Sequence, residues 1–401
     1  MDPIEQDLQD LDLHGLKYFH KLSHLLQRLH PVGCARDRSG NRRLYMDHYV
    51  ALLLLYLFNP TCHSMRALQR LSQLEKVQKK LGISRCSLAS LSEAARLFDS
   101  RPLQQIVTQL ARQVPPVAAS PKLPQLSEVL TVVDGTLLTT LPKVVAQLWA
   151  SDPSEGFKAH VQYEVLKGCP VAATITGAYT SEIAVLTEHL EKGRFYLLDR
   201  GYAKYQLMQD ILTAHSSFLG RIKTHFHIET QETRPLDEAA RQAGVLRDEV
   251  VCLGRHPRYR KLKQPVRLLE IVCTERSAKS VQRMRQKQVK ETTMLLVSDR
   301  LDLSADVLAT LYRCRWQIEI FFRWFKHVLG CRHLLSRCQN GIELQVYAAL
   351  LVCLLLARAT GLKPNKALYE MVCWYLSGWA SEQELMNHIA TAQRRQESPS
   401  R

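Results

Sequence analysis

The sequence predicts an α/β protein in which a mixed sheet with flanking helices is interrupted by a β-rich insertion and preceded by an all-helical N-terminal domain. The sheet is predicted by two short apolar runs, at residues 130–134 and 195–199, which end in Asp134 and Asp199. Such short apolar runs are typical of buried strands. The N-terminal domain is predicted by leucines that recur at helical spacing. The 401 residues are 46% apolar and 23% charged, which is a globular composition.

Residues 1–118 are predicted to form a helical domain that binds DNA. Two helices, expected at 64–80 and 88–98, are separated by a turn near Gly82, with basic residues on both sides. This pattern suits a helix-turn-helix, but a plain helical bundle fits it equally well. The Pro-rich segment 115–124 predicts a linker to the next domain.

The next two segments are predicted to be the first part of a catalytic core, 119–223, and a β-rich insertion, 224–300. The core elements expected are a strand at 130–134, a hairpin turned at Gly168, helix 182–189, a strand at 195–199, a helix to about Ala214 and a strand at 218–223. The insertion has strand-like runs at 250–253, 266–272 and 294–297. Its strongly basic connections either face nucleic acid or are solvated loops.

Residues 301–390 are predicted to complete the core, and 391–401 to form a flexible tail. Within this part, residues 312–326 are expected to form one helix with a charged face. Each residue of an α-helix is rotated by about 100° about the helix axis from the one before it. This rotation would place six side chains on or beside one face of the helix: Tyr312, Arg315, Trp316, Glu319, Arg323 and Lys326. Pairs four residues apart would by themselves only stabilise a solvated helix face. Two acids elsewhere in the chain, Asp134 and Asp199, favour a functional interpretation of this helix face.

Three carboxylates suit a metal site. Asp134 and Asp199 each end a predicted strand, and neighbouring strand ends can bring their side chains together. Glu319 lies on a helix that could pack across the same sheet. Three oxygen-donor side chains can hold two hard cations about 3.5–4 Å apart, which promote displacement at phosphorus. The sequence therefore predicts that Asp134, Asp199 and Glu319 are catalytic and bind two Mg²⁺ ions, with Mn²⁺ as a substitute.

Charge and composition restrict the partners. Lys and Arg outnumber Asp and Glu by 54 to 38, for a net charge of +16, which favours a polyanion. No basic amphipathic anchor stands out, so no membrane partner is expected. The first 15 residues lack the apolar stretch of a signal peptide, and the 11 cysteines are scattered, as in a reducing compartment. We therefore expect a cytoplasmic protein, associated with the nucleoid when bound to DNA.

Three motifs resemble a known family. The triplet at 134–136 (Asp-Gly-Thr) and the block at 199–202 (Asp-Arg-Gly-Tyr) resemble the first two catalytic blocks of DDE transposases. The spacing Tyr312-x2-Arg315-x3-Glu319-x6-Lys326 reproduces the Y-R-E-K signature. The chain is thus similar to the transposases of the IS-four class of bacterial insertion sequences, over residues 128–357.

The resemblance implies an RNase H-like core and cut-and-paste transposition. It implies binding to double-stranded DNA, at the terminal inverted repeats and the target, by a homodimer in the synaptic complex. It also implies phosphate contacts by Tyr312, Arg315 and Lys326, with base stacking open to Trp316. The alternatives are a transposase-derived DNA-binding protein without activity and another RNase H-like DNA nuclease.

One departure from the family concerns the insertion. Relatives that form a DNA hairpin hold a flipped base on a tryptophan there, but this chain has no Trp between residues 150 and 315. Tyr259 or Phe226 are the aromatic residues that could replace it. The resemblance therefore leaves hairpin formation open.

Overall fold

The fold is taken from a computed structural model. It describes residues 25–34, 40–59, 61–117, 126–138, 156–224, 226–254, 262–272, 293–328, 334–336 and 338–397.

The described helices and strands are numbered in chain order. The helices are α1 Met46–Phe58, α2 Met65–Leu71, α3 Glu75–Leu81, α4 Leu88–Leu97, α5 Arg101–Gln113, α6 Glu182–Glu188, α7 Tyr205–Thr213, α8 Glu238–Gln242, α9 Ala305–Arg313, α10 Trp316–Val328, α11 Gln339–Thr360, α12 Lys366–Leu376 and α13 Glu382–Glu397. The strands are β1 Val129–Leu138, β2 Phe157–Glu164, β3 Cys169–Gly177, β4 Arg194–Leu198, β5 Ser217–Ile222, β6 Ile228–Thr233, β7 Val245–Leu253, β8 Val266–Val272 and β9 Thr293–Ser298.

The chain divides into two compact units. The first comprises Met1–Ala118, Gly135–Tyr179 and Ile320–Arg401, and the second comprises Ala119–Asp134 and Thr180–Glu319. Both units are assembled from separated parts of the sequence. The fold is therefore a mixed α/β structure whose units are not consecutive along the chain.

The second unit contains a large mixed sheet with the strand order β1-β4-β5-β9-β8-β7-β6. Strand β4 pairs in parallel with β1 and β5, whereas the later neighbours pair antiparallel. Residues 195–198 of β4 are all buried, as expected for a parallel strand covered on both faces. Side chains of α7, among them Leu207 and Ile211, pack with Phe218 of β5 in the core. This packing fixes where the carboxyl ends of β1 and β4 lie.

The first unit is built around α11. This 22-residue helix packs against α1, α4, α5 and β3, and an aromatic cluster forms around Phe321. Among the described residues, α11 is the one helix long and apolar enough to cross a membrane. The apolar run at 346–357 lies inside α11, which is longer than that run at both ends. Because 83% of its most apolar window is buried inside the protein, it is accounted for as a core helix.

Most predicted elements occur where the sequence placed them, but the strand predicted to end at Asp134 continues to Leu138, so Asp134 lies within β1. The strand expected at 266–272 is β8 with the same bounds, and the hairpin β2–β3 turns at Gly168, whose φ of 64° suits glycine.

The leucine-rich residues 1–24 and the basic segment 279–290 lie outside the described residues, as does Tyr259. Phe226 is partly buried against Tyr205, with ring centroids 4.8 Å apart, so core packing already uses this ring.

The single helix predicted at 64–80 is wrong. The structure has two helices, α2 and α3, separated at residues 72–74. The hydroxyl of Ser72 donates to the Gln69 carbonyl at 2.6 Å and accepts from the Cys86 backbone N–H at 3.2 Å. A serine that bonds locally in this way competes with helix continuation.

The single helix predicted at 312–326 is also wrong. Helix α9 ends at Arg313 and α10 begins at Trp316. Between them the backbone N–H of Arg315 donates to the Tyr312 carbonyl, and that of Gln317 to the Cys314 carbonyl, both at 3.0 Å. These bonds span three residues rather than four, so the turn is wound more tightly than an α-helix. The face calculated for one continuous helix therefore does not exist as such.

Candidate active site

Asp134 lies within β1, and Asp199 directly follows the carboxyl end of the adjacent parallel strand β4. The β1–β4 register pairs Val129 with Arg194 and Val132 with Leu197, an offset of 65 residues. The same offset aligns Asp134 with Asp199. Side chains in register on neighbouring strands point to the same face, about 4.8 Å apart along the hydrogen-bonding direction. The two carboxylates predicted from separate motifs are thus brought together by strand pairing.

The pKa of Tyr202 reflects the negative charge of the nearby carboxylates. It lies in a 3-10 turn, Arg200–Tyr202, directly after Asp199, and its side chain is buried. Burial raises its pKa well above the ordinary value, and the nearby carboxylates of Glu182, Asp134 and Asp199 raise it further. The hydroxyl also donates a hydrogen bond to Glu182. Three carboxylates therefore lie near one neutral phenol.

Arg315 connects Glu319 with this acidic group. Its guanidinium donates to Glu319 Oε1 at 2.6 Å across one helical turn. Burial by itself lowers the pKa of Arg315, but the charge of Asp199 and the hydrogen bond to Glu319 outweigh burial and leave the pKa raised. One arginine thus interacts with the second and the third predicted acid. The bond uses Oε1 of Glu319, and a carboxylate has a second oxygen that can bind a metal.

Tyr312 is the most buried member of the predicted phosphate-binding set. Burial raises its pKa, and the charge of Asp199 adds to this, whereas Arg315 and Arg221 oppose it. Its hydroxyl is buried and makes no well-formed hydrogen bond to the described residues, although the Arg315 guanidinium lies near enough to interact with it. A buried hydroxyl of this kind is usually paired. It is therefore available to a ligand group, such as a phosphate oxygen.

The remaining predicted residues lie on α10. Trp316 is 52% exposed, so its ring does not serve the core. Arg323 is exposed and Lys326 is half-buried, and both belong to the first unit. The second unit holds Asp134, Asp199, Tyr312, Arg315, Trp316 and Glu319.

The donor set of the three acids fits hard divalent cations, because Mg²⁺ and Mn²⁺ take oxygen ligands. The register of Asp134 and Asp199 supplies two adjacent carboxylates for such an ion. The three acids do not form a tight group, however. In the described part of the chain, three ligand atoms within 4.8 Å of one another occur at His30, Asp47 and His48.

Two members of the acidic region were not among the predicted site residues. Tyr202 is part of the second motif. Glu182 is the first residue of α6 and belongs to none of the three motifs. Tyr202 becomes visible through its electrostatic interaction with Asp134 and Asp199, and Glu182 through its hydrogen bond with Tyr202. The sequence signal available for Tyr202 is its position three residues after a strand-end acid.

Acids at the carboxyl ends of parallel strands form the kind of edge at which α/β proteins bind ligands. The model of the Transposase DDE domain family matches residues 125–356, a range that includes all three predicted acids. Because the match covers more than half of the chain, the protein belongs to this family of DDE transposases.

Similar proteins carry transposase names. The chain is 28% identical over 234 residues to "Putative transposase y4zB" of Sinorhizobium fredii, covering 58% of this chain and 61% of that protein. It is 23% identical over 229 residues to "Probable transposase for insertion sequence element IS5377" of Geobacillus stearothermophilus, covering 57% and 55%. The match therefore spans about three fifths or less of each relative's length.

A solved structure is also similar. It is the cryo-EM structure of a piggyBac transposase synaptic complex with hairpin DNA, with a TM-score of 0.43 and 10% identity. The alignment covers 96% of this chain and 83% of that chain.

Proposed function

We propose that the protein is an active DNA transposase that binds the terminal inverted repeats of its element and moves it by cut-and-paste transposition. The reaction is metal-dependent strand cleavage followed by strand transfer. The observation that carries the proposal is the parallel pairing of β1 with β4, which brings Asp134 of β1 and Asp199, the residue after β4, close enough for both carboxylates to act on Tyr202. The strand order β1-β4-β5, with parallel pairing, supports assignment of the core to the RNase H-like class.

Asp134, Asp199 and Glu319 are the residues that would hold the two metal ions. When bound, Mg²⁺ or Mn²⁺ would activate the attacking oxygen and stabilise the leaving oxygen of the phosphodiester. Tyr312 and Arg315 would orient the phosphate, because one offers an unpaired buried hydroxyl and the other a guanidinium beside Asp199. Lys326 and Arg323 would contact the DNA backbone, and Trp316 offers an exposed ring for stacking.

Arg315 also has a role before metal binds. It neutralises part of the carboxylate charge through its hydrogen bond to Glu319 and its proximity to Asp199. Like charges placed together are unfavourable without a counterion. The guanidinium therefore keeps the acidic region stable until the metal and the DNA phosphate replace it.

The helical N-terminal part, 1–118, would bind DNA. A pocket in the first unit is lined by Arg42, Arg43 and Arg85, together with Ser87, whose side chain caps α4 by accepting from the Ser90 backbone N–H. Arginines around a helix N-terminus provide the positive potential and the donors that bind phosphate. This pocket supports DNA binding by the domain. Residues 119–223 and 301–390 would form the catalytic core around the insertion 224–300, with 391–401 as a tail.

The test is cleavage of supercoiled DNA that carries the element's own terminal repeats, in the presence of Mg²⁺. Asp199→Asn and Glu319→Gln should each lower the nicking rate at least about 1000-fold, because a metal contributes several kcal/mol to transition-state stabilisation. DNA binding in a gel-shift assay should persist. Glu188→Gln is the matched control, since this exposed carboxylate lies on α6 in the same unit.

Different outcomes of this experiment would support different alternatives. Specific binding without any nicking, in wild type and variants alike, would show a DNA-binding relative without activity. Nicking that ignores the terminal repeats but requires Asp199 would indicate a different RNase H-like nuclease. Gel filtration of the DNA complex tests the homodimer that we expect in the synaptic assembly. Cell fractionation tests the expected cytoplasmic and nucleoid-associated location.

A further inference from the structure

Three side chains with metal-binding atoms meet in the first unit. His30 follows the 3-10 turn Gln27–Leu29, and Asp47 and His48 lie in the first turn of α1. One ligand atom from each of them lies within 4.8 Å of the others. None of these residues belongs to the proposed catalytic set. The group therefore needs an explanation of its own.

The distances within this group are close to those around a bound ion. His30 Nδ1 is 2.9 Å from Asp47 Oδ2, and His48 Nε2 is 3.8 Å from the same oxygen. Tetrahedral zinc with bonds near 2.1 Å separates its ligand atoms by about 3.4 Å. The two observed distances lie on either side of that value. An ion could thus be accommodated by side-chain shifts of about 1 Å or less.

The protein does not satisfy all polar atoms of the group. Asp47 Oδ1 and His48 Nδ1 are buried without a hydrogen-bond partner among the described residues. An ionised carboxylate that is mostly buried normally has its oxygens paired or bound to metal. Asp47 is 12% exposed, yet one of its oxygens is left over. A cation bound by both carboxylate oxygens would pair Oδ1 as well as Oδ2, whereas His48 would bind through Nε2 and not through Nδ1.

The ring of Tyr45 holds both imidazoles in place, and burial favours the neutral form of His48. The ring of Tyr45 stacks on His30 at 4.1 Å and meets His48 edge-on at 5.6 Å. Burial lowers the pKa of His48, with Asp47 opposing and His30 adding to this effect. A neutral imidazole is the form that binds metal. His30 remains 48% exposed, which leaves an entry path for an ion.

We propose that His30, Asp47 and His48 form a zinc site, with water in the fourth position. Two imidazole nitrogens and one carboxylate select zinc over the hard Mg²⁺ of the carboxylate site. The ion would join the 3-10 turn to the start of α1, across a sequence separation of 17 residues. Bound zinc would stabilise the fold, because closing a chain segment restricts the unfolded state.

The first experiment measures metal on the intact protein, without DNA. The protein is treated with chelator, returned to buffer with excess Mg²⁺ to occupy the acidic site, and titrated with Co²⁺. We expect one equivalent of Co²⁺ with the visible spectrum of a four-coordinate nitrogen and oxygen site, which zinc then displaces. The melting temperature should rise on adding zinc. A sulfur-to-cobalt charge-transfer band would instead assign the ion to cysteines and overturn the proposal.

The second experiment uses variants. Asp47→Asn and His48→Gln should each weaken zinc binding at least about 100-fold, since each removes one of three ligands. His63→Gln is the control, because His63 is an exposed histidine in the same unit. Equal affinity in all three variants, or no binding by wild type, would leave the group as an ordinary buried ion pair. If a ligand variant fails to fold, the wild-type cobalt spectrum alone decides.

Neither experiment depends on transposition. Loss of zinc binding would leave the proposed cleavage chemistry untouched. Failure of DNA cleavage would likewise leave the zinc site intact.

Discussion

At the scale of single residues, Arg315 and Tyr312 show how burial gives a polar group a role. Arg315 pairs with Glu319 and also lies near Asp199, so one cation serves two acids. Tyr312 has a buried hydroxyl that the described residues leave unpaired. A buried polar atom without a partner costs about 1–3 kcal/mol, so the position favours a ligand contact over a purely structural role.

Tyr312→Phe separates these two roles. Removing an unpaired buried hydroxyl should leave the free energy of unfolding unchanged or raise it. Cleavage should fall roughly 10- to 100-fold, as expected when a hydrogen bond to a charged phosphate is lost. Chemical denaturation and a nicking assay measure the two effects.

Tyr196→Phe is the matched control for that prediction. The Tyr196 hydroxyl accepts from the Glu191 backbone N–H at 2.9 Å. Its loss should lower stability by about 1 kcal/mol without changing cleavage. The phosphate role of Tyr312 is contradicted if Tyr312→Phe is destabilising while cleavage stays normal.

Asp299 provides a pH test of burial. Burial raises its pKa, although it accepts from the Phe218 backbone N–H at 2.7 Å. A raised pKa means that the folded state prefers the neutral acid. This contribution is full below the unfolded pKa of about 3.9 and is lost as pH rises through the folded value. Asp299→Asn keeps an acceptor and stays neutral, so it should be more stable than wild type at pH 7.

The stability gain of Asp299→Asn should shrink as the pH falls toward about 4, where the wild-type acid is protonated. Asp302→Asn should behave in the opposite way. Its hydrogen bond with Arg300 lowers the pKa of Asp302, so this stabilisation is present at pH 7 and lost on acidification. Thermal melts across this pH range measure both. A constant difference at every pH would rule out the titration.

At the scale of elements, strand register and helix winding arrange the site. The parallel register of β1 and β4 aligns Asp134 with Asp199. The tight turn between α9 and α10 sets Arg315 between Tyr312 and Glu319. The antiparallel strands β7 and β8 extend the sheet and contain a buried ion pair, Arg267 with Asp248.

Removing one partner of this pair should destabilise the second unit. Arg267 donates to Asp248 at 2.7 Å, and the two side chains are 6% and 3% exposed. Arg267→Ala would leave Asp248 buried and unpaired, which should lower the free energy of unfolding by about 3–5 kcal/mol. Replacing both partners, with Arg267→Met and Asp248→Leu, should recover most of this loss.

Arg101→Ala is the control for the buried pair. Arg101 also pairs with an aspartate, Asp99, but is 81% exposed. Exposed pairs contribute little to stability because water screens them, so this change should have little effect. Urea denaturation of the wild type, Arg267→Ala, the double variant and Arg101→Ala measures the difference in unfolding free energy. Equal losses at both arginines would show that burial does not govern the pair's contribution.

At the scale of the whole molecule, charge and composition govern the partner. The net charge of +16 is carried by a chain of 401 residues. The partner that we propose, DNA, is a polyanion, and a basic protein is attracted to it over long range. The arginine-lined pocket at Arg42, Arg43 and Arg85 concentrates part of this charge in the first unit.

Affinity for terminal-repeat DNA should therefore depend steeply on salt. A broad interface with 6–10 phosphate contacts loses roughly 10³–10⁵ in affinity between 50 and 200 mM salt. Fluorescence anisotropy at several salt concentrations measures the slope. Arg43→Ala with Arg85→Ala should make the slope shallower by about two phosphate contacts. A shallow slope for wild type would contradict broad phosphate binding.

Much of the fold could be predicted because its signals are local. Apolar residues predominate in β1, β4 and β8, and Gly168 indicates the turn between β2 and β3. The family motifs placed the three acids, and the match to residues 125–356 includes them. Helix breaks were missed, since a hydrogen bond from Cys86 to Ser72 or a three-residue turn at Arg315 leaves no mark in hydrophobic periodicity.

The sequence by itself determined which residue types were available: strand-end carboxylates, a helix rich in cations, and a strongly basic composition. The tertiary structure decided which of them meet. Strand register set Asp134 beside Asp199, a tight turn paired Arg315 with Glu319, and chain packing brought His30 to Asp47 and His48. Periodicity is set by residues a few positions apart, whereas these contacts depend on pairing and burial between distant segments.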